Sequence, residues 1–444
     1  MKLLLLLYGV TLGFPDAVVP VLGVSENINV RLCDLIVPLL LLGGAARKQL
    51  LHWPKPQKKI AVAMGGFLAM CVASWCWCMS RGARVDPYWF YRVVGAIVTF
   101  YALQLAVQNR ATLLAFSDGL LIGGAALIVQ VGSKLPQILA LGQVSYWRVK
   151  GVAGFDSWNP NALGVASSVL AFVAGIRLYR HPPKTRLCKI GLVGLTATFV
   201  LVPGMIFSRA AFVGCATAWL AFLLCTRRAS ALIVGALTGS VLLVLWMGPQ
   251  AYALENAANI QVSTGQGFSE RYALWAFALQ LLSEKPLLGH GFATEIPLYY
   301  DRIGHGMPHN AFLSVAVELG IAGLLIFAHL LACFIRPLRR LFHASLRRPI
   351  VLLLGCFVLN LAIQSLFADG LYGDKHVFIG LAMIASVTGM LAHEEARCRP
   401  VLMRVMLGAS ARAFPVAAPG TRSRRISREQ IHWRSPATRA VTTP

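Results

Sequence analysis

The residues with the chemistry to do something gather between positions 267 and 323. Arg271 opens the stretch Glu270-Arg271-Tyr272-Ala273-Leu274-Trp275, and Glu284-Lys285-Pro286-Leu287-Leu288-Gly289-His290-Gly291 follows it. His305-Gly306-Met307-Pro308-His309-Asn310 comes next, and Glu318, Gly320 and Gly323 close the region. One more arginine, Arg209, follows Ser208 in the apolar sequence Ile206-Phe207-Ser208-Arg209-Ala210. A guanidinium is always charged and can grip a phosphate at two points. An imidazole titrates near neutrality and can take a proton from an attacking hydroxyl. Two arginines and a histidine at one membrane surface therefore suit transfer from a diphosphate donor. The arginines would neutralise the leaving group and the histidine would serve the acceptor.

The elements that must hold these groups are membrane spans. The chain has 444 residues, is 57% hydrophobic and only 13% charged, against about 25% charged in a soluble domain. Apolar runs of near-spanning length fall at 2–24, 32–46, 60–79, 91–107, 112–131, 162–178, 190–207, 210–226, 230–248, 311–335, 349–367 and 376–392. That predicts an all-α, polytopic helical bundle of about twelve spans. Clusters of Lys and Arg without acidic residues fall at 47–59, 177–189, 227–228 and 336–348. With the amino terminus inside, all four are cytoplasmic, as the positive-inside rule requires. The net charge of +24 is thus mostly a topology signal, and nucleic acid is not an expected partner.

Two of the predicted outer loops are long, 132–161 and 249–310. The first carries Trp147, Arg148, Lys150, Asp156 and Trp158 and reads as an amphipathic interfacial cap. In the second, the run from Glu270 to Glu284 is apolar almost all round; at ~1.5 Å per residue it is roughly 22 Å long as a helix. It is too short to span comfortably and too apolar for water, so it is expected to lie in the outer interface. Arg271 starts that helix and His309 stands at the mouth of the next span. Arg209 sits at or just below the outer surface, where a charge is costly unless it is paired, functional or snorkelling to headgroups.

Other chemistry is poorly supported. No Asp-x-Asp pair is present to hold a divalent cation against a diphosphate, and Pro308 breaks the helical spacing of His305 and His309. Neither a metal nor a cofactor is expected. Most of the ten cysteines fall in predicted spans and read as core thiols. The basic tail 393–444 reads as a cytoplasmic segment, disordered or resting on anionic lipid.

The pattern His309-Asn310 followed by Gly320 and Gly323 resembles the O-antigen ligase and polymerase superfamily. The same holds for Arg271 with Trp275, for the Glu-Lys-Pro-Leu-Leu-Gly-x-Gly run at 284–291, and for the Ser208-Arg209 turn. The resemblance implies a GT-C-like bundle over 1–392 with a helical periplasmic loop at 249–310, in a bacterial inner membrane. It implies a metal-independent, inverting glycosyltransferase whose active site faces the periplasm. The donor would be undecaprenyl-diphosphate-linked O-antigen, the acceptor lipid A–core, and the surroundings membrane lipids. Arg209 and Arg271 would bind the donor diphosphate and His309 would be catalytic. Arg302, His305 and Asn310 are secondary candidates. Glu318, Gly320 and Gly323 are expected to serve close packing of spans. A polymerase or a protein O-oligosaccharyltransferase would use the same donor. A transporter of lipid-linked sugars is the alternative of another class, but it would keep its ionisable groups near the midplane.

Overall fold

A computed structural model describes residues 1–12, 32–45, 53–140, 160–205, 208–226, 268–304, 308–344, 348–367 and 374–413. Within them the helices are α1 (Lys2–Thr11), α2 (Leu32–Ala45), α3 (Lys55–Ser80), α4 (Pro87–Ala106), α5 (Arg110–Ala140), α6 (Pro160–Arg180) and α7 (Arg186–Met205). There follow α8 (Arg209–Cys225), α9 (Phe268–Glu284), α10 (Glu295–Ile303), α11 (Ala311–Ala344), α12 (Arg348–Phe367) and α13 (Lys375–Ala413). The described fold is all-helical. In lipid a helix satisfies every backbone polar group internally, which is why apolar runs of this length adopt it.

Eight of these helices are long and apolar enough to cross a membrane, and three shorter apolar ones lie at Lys2–Thr11, Cys33–Ala45 and Ala210–Cys225. Each coincides with a predicted span. The remaining predicted span, 230–248, lies outside the described residues, as does 141–159, the middle of the predicted cap. Four elements depart from expectation. Helices α5 and α11 each run nine residues beyond their predicted spans, α13 continues from 392 to Ala413 into the tail that read as disordered or resting on lipid, and α10 forms inside what read as loop.

Met1–Glu395 form one compact unit, and Ala396–Pro444 a second. In the first unit, polar contacts join helix ends that the basic clusters assign to the same side. At the predicted inner ends, Arg180 Nη2 donates to Glu394 Oε1 at 2.7 Å and Arg177 Nε to Asp118 Oδ1 at 3.0 Å. At the predicted outer ends, Arg84 pairs with Asp301 at 2.8 Å and Lys375 pairs with Asp34. Small residues allow close crossings between spans: a Cβ on Gly119 of α5 would fall 2.3 Å from the Leu6 carbonyl oxygen of α1.

Helix α11 is broken at Gly320, whose φ of 66° and ψ of −166° are not helical. This corrects the expectation of a plain packing glycine in a continuous span. The break is what attaches the outer helices to the bundle.

Candidate functional site

A break at Gly320 parts two pairs of backbone groups that a continuous helix would join, Ile321 N–H with Val317 C=O and Ala322 N–H with Glu318 C=O. Segment 286–291 takes over all four. His290 N donates to Val317 O and Gly291 N to Glu318 O, both at 2.8 Å. Ile321 N donates to Pro286 O at 2.8 Å and Ala322 N to Leu287 O at 3.2 Å. Val317 and Glu318 are fully buried, and buried backbone groups cannot be left unpaired without large cost. The strap is built around two glycines that face one another. A Cβ on Gly289 would lie 2.5 Å from the Glu318 carbonyl, and one on Gly320 would lie 2.4 Å from Leu287 O. Both have positive φ, 69° and 66°, which only glycine tolerates freely.

The strap continues along the outer end of α3 and the start of α4. Phe292 N donates to Ser74 Oγ at 3.0 Å, Cys78 Sγ to His290 O at 3.5 Å, and Asp86 N to Ala293 O at 2.7 Å. Phe292 is buried beside Phe90, which stacks on Trp75 at 4.3 Å. Glu318, buried in α11, accepts the Glu295 N–H on Oε1 at 3.3 Å. A carboxylate at the first turn of α10 offsets the positive end of that helix.

Helix α9 rests on this frame. Leu274, Ala278 and Leu281 pack with Tyr299 of α10 and Val317 of α11, and Tyr299 Oη donates to Leu274 O at 3.1 Å. Its far side exposes Tyr272 and Leu279, and the strap exposes Leu287 and Leu288. At the end of α9, His290 Nε2–H donates to Leu281 O at 2.9 Å. Burial, followed by the cations Lys285 and Arg302, holds the His290 pKa below the usual histidine value, against the Leu281 bond and Glu284, which raise it. The ring is therefore a neutral cap at pH 7. Arg302 Nη1 donates to Glu284 Oε1 at 2.8 Å and lowers that carboxyl's pKa.

The predicted site residues fall as follows. Arg271 lies in the first turn of α9, one turn before Trp275. Trp275 Nε1–H donates to the Pro308 carbonyl at 2.9 Å. This bond ties the helix of Arg271 to the residue before His309. His309 is exposed and left-handed, with φ 52°. Asn310 is the N-cap of α11: its Oδ1 accepts from Phe312 N at 3.0 Å and Leu313 N at 3.2 Å. The cap fixes where α11 begins and holds His309 just outside it. Arg302 is engaged with Glu284. Arg209 is the first residue of α8, after Ser208, which abuts Gly164 of α6. Of Arg209 and Arg271 only the backbone is described, and His305 lies outside the described residues.

Sequence reasoning missed the strap, α10 and the structural work of His290. The one available signal was the pairing of two glycine-bearing segments, 289–291 after the predicted interfacial helix and 320–323 within an apolar run.

Fold and site together define a polytopic, all-helical membrane protein with an arginine- and histidine-bearing helical subassembly at one membrane face. Residues 192–328 match the family model Wzy_C, described as O-Antigen ligase. A Rickettsia felis (strain ATCC VR-1525 / URRWXCal2) protein named "Putative polysaccharide ligase" is 28% identical over 98 residues, covering 19% of this chain. The aligned part spans 24% of that relative's length. These findings support the resemblance to the O-antigen ligase superfamily, and the matched segment contains α8 through the upper part of α11.

Proposed function

We propose that this protein is a glycosyltransferase that moves O-antigen polysaccharide from undecaprenyl diphosphate to a hydroxyl of lipid A–core. It acts at the periplasmic face of the inner membrane, by inversion and without a metal. The observation that carries this reading is the Trp275–Pro308 hydrogen bond, which couples the helix bearing Arg271 to His309. Arg209 adds to it. A cation at a helix N-terminus opposes the helix dipole unless an anion sits there too, and a diphosphate would be that anion.

In this reading Arg209 and Arg271 hold the donor diphosphate. His309 removes the proton from the acceptor hydroxyl as its oxygen attacks the anomeric carbon. The bond from that carbon to the diphosphate oxygen breaks, and the lipid diphosphate leaves with the electron pair. Its added charge is met by the two guanidinium groups. A single displacement inverts the anomeric centre.

The test uses the purified full chain, lipid-linked glycan and rough lipopolysaccharide in the presence of a chelator. A ladder of glycosylated lipopolysaccharide is expected. Arg209→Lys and Arg271→Lys should each lose most activity, because lysine cannot reproduce a planar two-point contact. His309→Ala should lower turnover about 10²–10⁴-fold while donor binding persists. An intact glycan–diphosphate bond after incubation would instead point to a transporter.

A further inference from the structure

The turn between α3 and α4 carries Arg81 and Arg84, and the start of α4 adds Arg92, beside Trp77, Tyr88 and Trp89. It joins the same frame as the candidate site through Asp86 N to Ala293 O and the Arg84–Asp301 pair. That places it on the face the charge pattern assigns to the outside, where arginines run against the positive-inside bias. Topology does not explain them.

Their geometry suggests another reason. The Arg81 guanidinium carbon lies 4.2 Å from the Trp77 ring centroid, and that of Arg92 lies 5.7 Å from Tyr88 and 5.3 Å from Trp89. A guanidinium stacked by its face keeps its N–H edge free for a two-point contact with phosphate or carboxylate. Among the described residues no carboxylate lies within ion-pair distance of Arg81 or Arg92. The nearby acids have other work. Asp86 caps α4 by accepting from Tyr88 N and Trp89 N, Asp301 is held by Arg84, and Asp374 is bonded to His376 with Arg92 acting only at longer range. Trp77 is 59% exposed and Tyr88 40%, so each ring keeps surface that the protein does not cover.

We propose that this turn, with Arg81 on Trp77 at its centre, is the surface that receives the phosphorylated sugars of the acceptor glycolipid. This rests on the glycosyltransferase reading above. A simple headgroup anchor would need the tryptophan and a cation. It would not need the turn to be pinned to the strap and α10 by a hydrogen bond and an ion pair.

The test separates the two claims by measuring binding without transfer. The full chain is placed in phosphatidylcholine nanodiscs and titrated with fluorescein-labelled, delipidated lipopolysaccharide core oligosaccharide. One sample keeps its phosphates and one is treated with phosphatase. Wild type is expected to bind the phosphorylated form at least about tenfold more tightly, the scale of a lost charge-assisted contact. Arg81→Gln and Trp77→Ala, both at exposed positions, should abolish that preference without changing thermal stability. Equal binding of the two oligosaccharides by wild type, or a preference that survives in both variants, would overturn the proposal. So would variants that keep the preference but lose affinity only for phosphatidylglycerol nanodiscs, which would make the turn a headgroup anchor. Transfer without phosphate-dependent binding removes this surface and leaves the enzyme reading. Phosphate-dependent binding without transfer keeps the surface and removes that reading.

Discussion

Replacing Gly320 by alanine tests the frame on which the candidate site rests. The φ and ψ of Gly320 lie in a region open almost only to glycine, so the strain alone costs about 1–3 kcal/mol. The new Cβ would also meet Leu287 O at 2.4 Å, Leu287 C at 2.5 Å and Gly289 N at 2.6 Å. These are backbone atoms and cannot rotate away. Releasing the strap sacrifices four hydrogen bonds, about 2–6 kcal/mol at 0.5–1.5 kcal/mol each. Two of them are regained if α11 closes into a continuous helix. Release is therefore cheaper than bearing strain and clash together, and the strap should detach. Hydrogen exchange should show lost protection at His290 and Gly291, with protection kept at Ile321 and Ala322. Turnover should fall on the order of 10²-fold, as expected when reacting groups lose their register. Gly194→Ala, where nothing lies within 4 Å of the added Cβ, is the neutral control. Wild-type protection at His290 and Gly291 with unchanged turnover in Gly320→Ala would refute the reasoning.

Trp275→Phe keeps the packing but removes the bond to Pro308 O; it should cost about 1 kcal/mol of stability and lower turnover beyond that, measured by thermal unfolding beside the transfer assay. Asn310→Ala should cost about 0.5–2 kcal/mol and expose the amides of Phe312 and Leu313 to exchange. His290 has a folded pKa below its unfolded value of about 6.5, so the stability it adds is complete above that pH and is lost as the pH falls through the folded pKa. Exchange at Gly289 and Gly291 should accordingly quicken, after correction for intrinsic rates, as the pH falls from about 6.5 to about 5.5. His290→Gln should flatten that dependence, whereas Glu284, with its lowered pKa, stays ionised throughout the window.

The spans were legible because lipid imposes a length and an apolar composition that no packing detail overrides. Asn310 and the start of α11 were legible too, since a capping residue before an apolar run is a local signal. The break at Gly320 was not. Apolar residues continue on both sides of it, and the partner that makes it stable lies some thirty residues upstream. Helix α10 was hidden by its brevity and by Tyr299, Asp301 and Arg302, which read as loop. The role of His290 depends on which carbonyl its ring reaches, and that is settled only when α9 docks. Arg302 looked like a ligand-binding cation because its partner, Glu284, sits eighteen positions away on another helix.

A broken helix in a membrane protein is ordinarily a place to bend. Here the four bonds between 286–291 and α11 cross the discontinuity in both directions, two from each side. They convert a potential joint into a fixed elbow. The outer helices cannot swing about this point without breaking all four of those bonds. On the glycosyltransferase reading proposed above, the long-chain lipids would glide to this fixed elbow within the plane of the bilayer and leave the same way, so encounter, rather than the opening of a cover there, would set the pace.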